Sequence, residues 1–284
     1  MPSAKSPGDP VVTEKIQKYL ADAGVGSRRE IERWIVAGRI TVNGEQAHVG
    51  QRVHDKDQIY VDNRKVGARK RNVSPEIILL NKNAGTVCTR SDPENRPTVF
   101  AELPTLRNSR WVSVGRLDIQ TTGLLALTND GVLANKLMHP STGLDREYAV
   151  RVGHKLEEEQ LKLLTEGIVL EGETLRFSDV RFYDGGNRNF WYHVVLMEGK
   201  NREVRRLFEA VGTTVSRLKR VRYGPIALPS WLRVGQWTYL QQKDVEGLCR
   251  LLGLRYKRPE KTKERRQRVA KTSCLLPYPE LKPK

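Results

Sequence analysis

Apolar residues along this 284-residue chain recur with two different periods, and the switches between them mark out its elements. Ile16, Tyr19, Leu20 and Ala23 follow helical spacing from Thr13 onward, and Gly24 is placed to stop that helix. Ser27-Arg28-Arg29-Glu30 then has the Ser-x-x-Glu form of a capping box, in which two side chains satisfy free backbone N–H groups at a helix start. Ile31, Trp34 and Ile35 give the second helix an apolar face, and Gly38 ends it. From Ile40 the period shortens to two. Ile40 and Val42, an Asn43-Gly44 turn, then Val53, Ile59 and Val61 predict small strands, so residues 13–72 read as an αα-then-β module.

Arg64 to Arg71 packs five basic residues beside a glycine and an alanine, and Pro75 precedes the apolar Ile77 to Leu80, which predicts a linker. Beyond it, strand-like segments (77–80, 111–114, 124–128, 147–152, 190–197, 218–223) alternate with helical ones near 132–138, 157–165, 201–211 and 242–252. The mixture predicts an α+β domain over residues 73–256, built on a mixed, mainly antiparallel sheet. Residues 1–12, with three prolines, read as a flexible leader. Residues 257–284 hold ten Lys or Arg, three acids and four prolines, the composition of a basic disordered tail.

Composition adds a partner class. Lysine and arginine number 50 against 33 acidic residues, a net charge of +17, which suits a polyanion because each neutralised phosphate releases a condensed counterion. Nucleic acid is favoured over membrane, since no apolar run approaches the roughly 18 residues of a spanning helix and the first residues carry charges and prolines where a signal peptide needs an apolar core. Cys88, Cys249 and Cys274 include no Cys-x-x-Cys pair, and the five histidines have no ligand spacing, so neither disulfide framework nor metal is expected.

The densest cluster of candidate chemistry is Gly115-Arg116-Leu117-Asp118, then Thr121-Thr122-Gly123-Leu124-Leu125 and Asn129-Asp130-Gly131. It puts Asp118, beside Arg116, in a loop between two strands, where rigid elements present reactive groups. An aspartate in a turn is otherwise commonly an Asx-turn former. On the predicted strand 147–152, Tyr148, Val150 and Val152 share a face. In the helix over 201–211, Val204, Leu207, Phe208 and Val211 form the stripe; at about 100° per residue Arg205 falls on its border, with Arg202 and Arg206 nearly opposite. Arg29 and Arg33 lie one turn apart, away from Ile31, Trp34 and Ile35, and Arg28 extends that basic face.

The block from Gly115 to Gly131 resembles the signature of the pseudouridine synthases that act on small- and large-subunit ribosomal RNA, whose aspartate is the single catalytic carboxylate. The resemblance implies that role for Asp118. Arg146-Glu147-Tyr148-Ala149-Val150 is similar to the family's second motif, which implies that Tyr148 stacks on the target uracil, and Glu198 to Arg206 is similar to the third, which implies that Arg205 pairs with Asp118. Arg116 would enter the base stack vacated by the target nucleotide. Lys82 falls where the family commonly has Asn-Lys-Pro-x-Gly beside the substrate, with Asn83 here in place of the proline.

Ser27-Arg28-Arg29 followed by Gly38-Arg39-Ile40-Thr41-Val42-Asn43-Gly44 resembles an S4-type RNA-binding domain, implying RNA contacts from Ser27, Arg28, Arg29 and Arg33. Cys88 to Phe100 and Arg220-Val221-Arg222-Tyr223-Gly224 resemble the branch that modifies a uridine in a 23S rRNA stem-loop, with the Thr121-Thr122 pair a departure from it. The implied protein is a cytoplasmic monomer that isomerises this uridine without cofactor or metal. A 16S rRNA site, or a non-catalytic role as an RNA-binding ribosome-assembly factor, is the alternative.

Overall fold

The computed structural model describes residues 13–67, 74–106, 109–256, 258, 269–279 and 281. Residues up to Val73 together with Pro104–Arg110 make one compact unit, and Ser74–Leu103 with Trp111 onward make another. The stretch 104–110 therefore departs from the linear division at residue 73. Gly24 accounts for part of this: its φ is +83°, and a Cβ there would lie 2.9 Å from the Ser109 backbone, so the chain can return only because that side chain is absent.

In the first unit, α1 (Ile16–Asp22) and α2 (Arg28–Val36) precede β1 (Ile40–Val42), β2 (Glu45–Gln46), β3 (Ile59–Val61) and β4 (Arg64–Lys65), which pair in the order β2-β1-β3-β4. Both halves of the predicted capping box form: Glu30 N donates to Ser27 Oγ and Ser27 N to Glu30 Oε2, each at 3.2 Å. Asn43 and Gly44 turn β1 into β2 with φ of 55° and 93°, the double positive φ that closes a tight hairpin. Ile16, Leu20, Ile31, Ile35, Ile40 and Ile59 form the core. Each such side chain contributes about 1.5–3 kcal/mol on burial. Trp34 stays half-buried at the rim, its ring 5.0 Å from the Arg39 guanidinium.

The second unit is built on β5 (Ile77–Lys82), β6 (Thr122–Thr128), β7 (Arg146–Val152), β8 (Asp179–Gly186), β9 (Asn189–Leu196), β10 (Arg217–Tyr223) and β11 (Trp237–Tyr239). Their order across the sheet is β8-β9-β7-β10-β6-β5-β11. These junctions are antiparallel except β10 with β6, which is parallel and pairs Lys219 with Thr122 and Arg220 with Gly123. β5 is buried at every position, as a strand covered on both faces must be. The helices are α3 (Gly131–Met138), α4 (Glu158–Glu166), α5 (Glu203–Ala210) and α6 (Gln242–Leu251). α3 and α6 bury Leu133, Leu137, Val245 and Leu248 against Ile77, Leu79, Leu124 and Ala126.

Two of these seven strands have no counterpart in the sequence reading. β8 is an edge strand exposed from Arg181 onward that ends on Gly185 and Gly186, and β11 has only three residues. The expected disordered tail is a correction over 269–279. Ala270 and Cys274 are buried, Val269 bridges to Tyr239 and Leu275 to Ile226, and the Tyr278 hydroxyl donates to Asp145 Oδ1 at 2.9 Å. Averaging over the basic window hid this short apolar stretch. The other residues of 257–284, except 258 and 281, lie outside the described residues, as does the leader 1–12.

That last contact belongs to a network at the start of β7. Arg222 forms two bonds of 2.7 Å to the Asp145 carboxylate and one of 2.8 Å to Glu147. Burial pushes the Asp145 carboxyl up, but the bonds from Arg222 and Tyr278 outweigh it and hold it below the ordinary carboxylate range. A carboxyl depressed in the folded state contributes stability that is present above its unfolded pKa and lost as pH falls through its folded one. Asp145→Asn should therefore cost about 2 kcal/mol at neutral pH. In thermal melts across pH, the gap from wild type should close as pH falls through the depressed folded pKa, below the ordinary carboxylate range; a gap unchanged at low pH would refute the assignment.

Candidate active site

The loop between the short strand Val112–Ser113 and β6 carries Asp118 to the wall of an open cavity of about 810 Å³. Its geometry follows from two local features. Thr121 N donates to Asp118 O at 3.0 Å, closing a turn. Gly123, φ +98°, then lets β6 run against β10, where a Cβ would stand 2.3 Å from Arg220 O; no other residue fits that junction. The Asp118 side chain is exposed and makes no hydrogen bond or ion pair with the described residues.

The cavity's charges single Asp118 out. Its lining includes the cations Arg96, Arg116, Arg146, Lys200, Arg202 and Arg220 and the acids Asp92, Asp118 and Glu203. Arg96 binds Asp92 with two side-chain bonds of 2.8 and 2.9 Å and holds that carboxyl down at about 2. Glu203 is buried, which pushes its carboxyl up, and it accepts from Lys200 N at 2.8 Å. Asp118 is thus the lining acid left unpaired, in a cavity whose cation excess suits a phosphate chain.

The structure brings Tyr148 and Arg116 to the same cavity. Tyr148 is buried on β7, with Val194 as its cross-strand partner on one side and Arg220 on the other. Arg116 is exposed beside Asp118. Arg205 is half-buried as its border position predicts, but no ion pair joins it to Asp118. Its Nη1 donates to Val215 O at 2.9 Å and its Nε has no partner. Burial and Arg202 lower the Arg205 pKa, and the Asp118 charge opposes them, so the two groups act on each other through space.

Lys82 departs further from its expected place beside the substrate. It is fully buried at the end of β5, and its ammonium donates to the backbone carbonyls of Asn83 (2.8 Å), Thr121 (2.9 Å), Asp118 (3.2 Å) and Ile119 (3.3 Å). It staples the Asp118 loop from beneath. Burial lowers its pKa, with Cys88 and Asp118 opposing. Cys88 also supports the loop, its Sγ accepting from Leu117 N at 3.5 Å.

On α2, Arg28, Arg29 and Arg33 are exposed, whereas the Ser27 side chain is engaged as the helix cap. Arg146, Thr121 and Arg220 were not selected from sequence although they line the cavity. They sit inside or beside the quoted motifs, but only the strand register shows which way they face. Among the described residues no group of His, Cys, Asp and Glu could hold a metal ion, and no helix is long and apolar enough to cross a membrane.

Known proteins resemble this chain in sequence and fold. The sequence model of the RNA pseudouridylate synthase family matches residues 76–210, and that of the S4 domain matches residues 14–59. Ribosomal large subunit pseudouridine synthase B of Pseudomonas aeruginosa is 52% identical over 246 residues, which cover 86% of this chain and 64% of the relative. The protein of the same name from Vibrio cholerae is 50% identical over 252 residues (88% of this chain, 78% of the relative). That from Escherichia coli K12 is 49% identical over 249 residues (86% and 84%). A crystal structure of a pseudouridylate synthase is 26% identical with a TM-score of 0.57, covering 82% of this chain and 99% of that one.

Proposed function

Because the chain belongs to the RNA pseudouridylate synthase family, we propose that it isomerises a uridine of 23S ribosomal RNA to pseudouridine, with Asp118 as the one catalytic carboxylate. The observation that carries this reading is the unpaired Asp118 side chain in a cation-rich cavity beside Tyr148. The name shared by the relatives supports the large subunit as the source of the substrate.

The chemistry needs one ionised carboxylate near the ribose. Asp118 either attacks C1′ or takes the neighbouring C2′ proton, and the bond from C1′ to N1 of the base breaks. The uracil turns, C5 bonds to C1′ and gives up its proton, and N1 gains one, so nothing is added or lost overall. Tyr148 holds the detached ring by stacking, and Arg116 fills the place left in the RNA stack. Arg205 stands near enough to feel the Asp118 charge. Extrusion of the base costs a few kcal/mol, which phosphate contacts in the cation-rich cavity offset. The protein acts as a cytoplasmic monomer.

The test uses unmodified 23S and 16S RNA with carbodiimide-adduct primer extension. The expected result is one new stop in 23S RNA and none in 16S RNA. A stop in 16S RNA alone would move the site, and binding without any stop would leave an assembly factor.

The first unit supplies affinity in this reading, through Arg28, Arg29 and Arg33 on α2. Arg29→Ala with Arg33→Ala should weaken RNA binding while leaving the rate at saturating RNA unchanged. Two lost phosphate contacts should flatten the slope of log affinity against log salt by about 1.4 to 1.8. Binding across a salt series measures this, and an unchanged slope would remove α2 from the interface.

A further inference from the structure

Arg220 and Thr121 are built into the cavity in a way the isomerisation chemistry does not use. Arg220 is 3% exposed on β10, directly across from Tyr148 on β7, so the two side chains share a face of the sheet. Its guanidinium has five N–H donors. Within the described residues it spends one, from Nε to Leu124 O at 2.7 Å, and its plane lies near the Tyr223 ring, 5.2 Å from Cζ to the centroid. Nη2 is enclosed with no acceptor. Thr121 is 2% exposed, three residues beyond Asp118, and its hydroxyl is likewise enclosed without a partner. Both residues line the cavity.

Buried polar groups are almost always hydrogen-bonded, and a charged donor left without an acceptor carries a desolvation penalty that folding does not recover. Two such groups in one cavity wall, on the sheet face that bears the stacking tyrosine, are partners in waiting for a ligand. We propose that Arg220 and Thr121 read the 2,4-dione edge of the extruded uracil, Arg220 donating to a ring carbonyl and Thr121 Oγ1 accepting from N3–H; this rests on the uridine isomerisation proposed above. Three neighbouring segments then divide recognition. Tyr148 on β7 takes the face of the base, and Arg220 on β10, with Thr121 just before β6, takes its edge. Gly123 makes this arrangement possible by bringing β6 against β10 at Arg220.

The clean variant is Thr121→Val, which keeps the β-branched shape and removes only the hydroxyl. Because that hydroxyl has no protein partner, the melting temperature should stay level or rise, while the single-turnover rate on uridine falls about 10- to 100-fold, the worth of one buried hydrogen bond to the substrate. Arg220→Lys, which keeps the charge, is the second variant and should fall at least as far. Once the wild type has revealed the modified position, RNAs carrying 2-thiouridine or 4-thiouridine there provide a readout that a structural role would not move. A sulfur in place of the contacted carbonyl oxygen weakens acceptance, so one thio substitution should slow the wild type, and that same penalty should vanish in Arg220→Lys. Wild-type rates in both variants, or an undiminished thio penalty in Arg220→Lys, would overturn the proposal. Absence of product from the wild type on any ribosomal RNA would instead overturn the functional reading beneath it.

Discussion

Asp118→Asn should abolish pseudouridine formation while leaving RNA affinity almost unchanged. The amide keeps the side chain's shape but can act neither as nucleophile nor as base, and removing a group with either role costs on the order of 10²- to 10⁴-fold or more in rate. Affinity survives because the exposed Asp118 carboxylate binds nothing in the protein and, as an anion in a cation-rich cavity, adds no attraction for phosphate. Single-turnover primer extension and a filter-binding titration on the same RNA measure both quantities. Normal turnover by this variant would remove Asp118 from the chemistry, and a parallel loss of affinity would recast it as a binding residue.

Lys82→Met should lower turnover about 100-fold, the scale of a misplacement near 1 Å in a reacting group, without weakening RNA binding. The Lys82 ammonium is the shared donor to the carbonyls of Asp118, Ile119 and Thr121, so its loss frees the loop that aims the carboxylate. It also leaves these buried carbonyls with one donor fewer, at a cost of about 2–3 kcal/mol in stability. Thermal melting and single-turnover kinetics separate the two effects. A destabilised variant with full turnover would show that the staple is merely structural, and loss of RNA affinity would restore Lys82 as a substrate contact.

The sequence carried what is local. The capping box at Ser27 and the Asn43-Gly44 hairpin each depend on residues within a few positions of one another, and each forms where the pattern put it. The border position of Arg205 on α5 was equally legible from helical spacing. What stayed hidden depends on partners far along the chain. Arg220 meets Leu124 O across 96 residues of sequence, at the one parallel junction among the seven strands, which no periodicity announces. Lys82 illustrates the same limit: its position beside the loop could be read, but the direction of its side chain follows from how β5 packs under the Asp118 turn. α5 begins at Glu203, two residues later than the spacing indicated, because Arg202 takes a positive φ of 49° and the Glu203 carboxylate accepts from Lys200 N. The segment 269–279 was masked by the basic residues around it, although Ala270 and Cys274 enter the core.

The central claim, that one carboxylate detaches a uracil and returns it to the same ribose, is tested most directly with 23S RNA labelled with tritium at uracil C5 and carbon-14 in the uracil ring. Bond formation at C5 expels its hydrogen, so the protein should release tritium to water up to one equivalent per modified site while all carbon-14 remains in the RNA, and Asp118→Asn should release neither. Carbon-14 appearing as free uracil, or tritium release undiminished in Asp118→Asn, would contradict it.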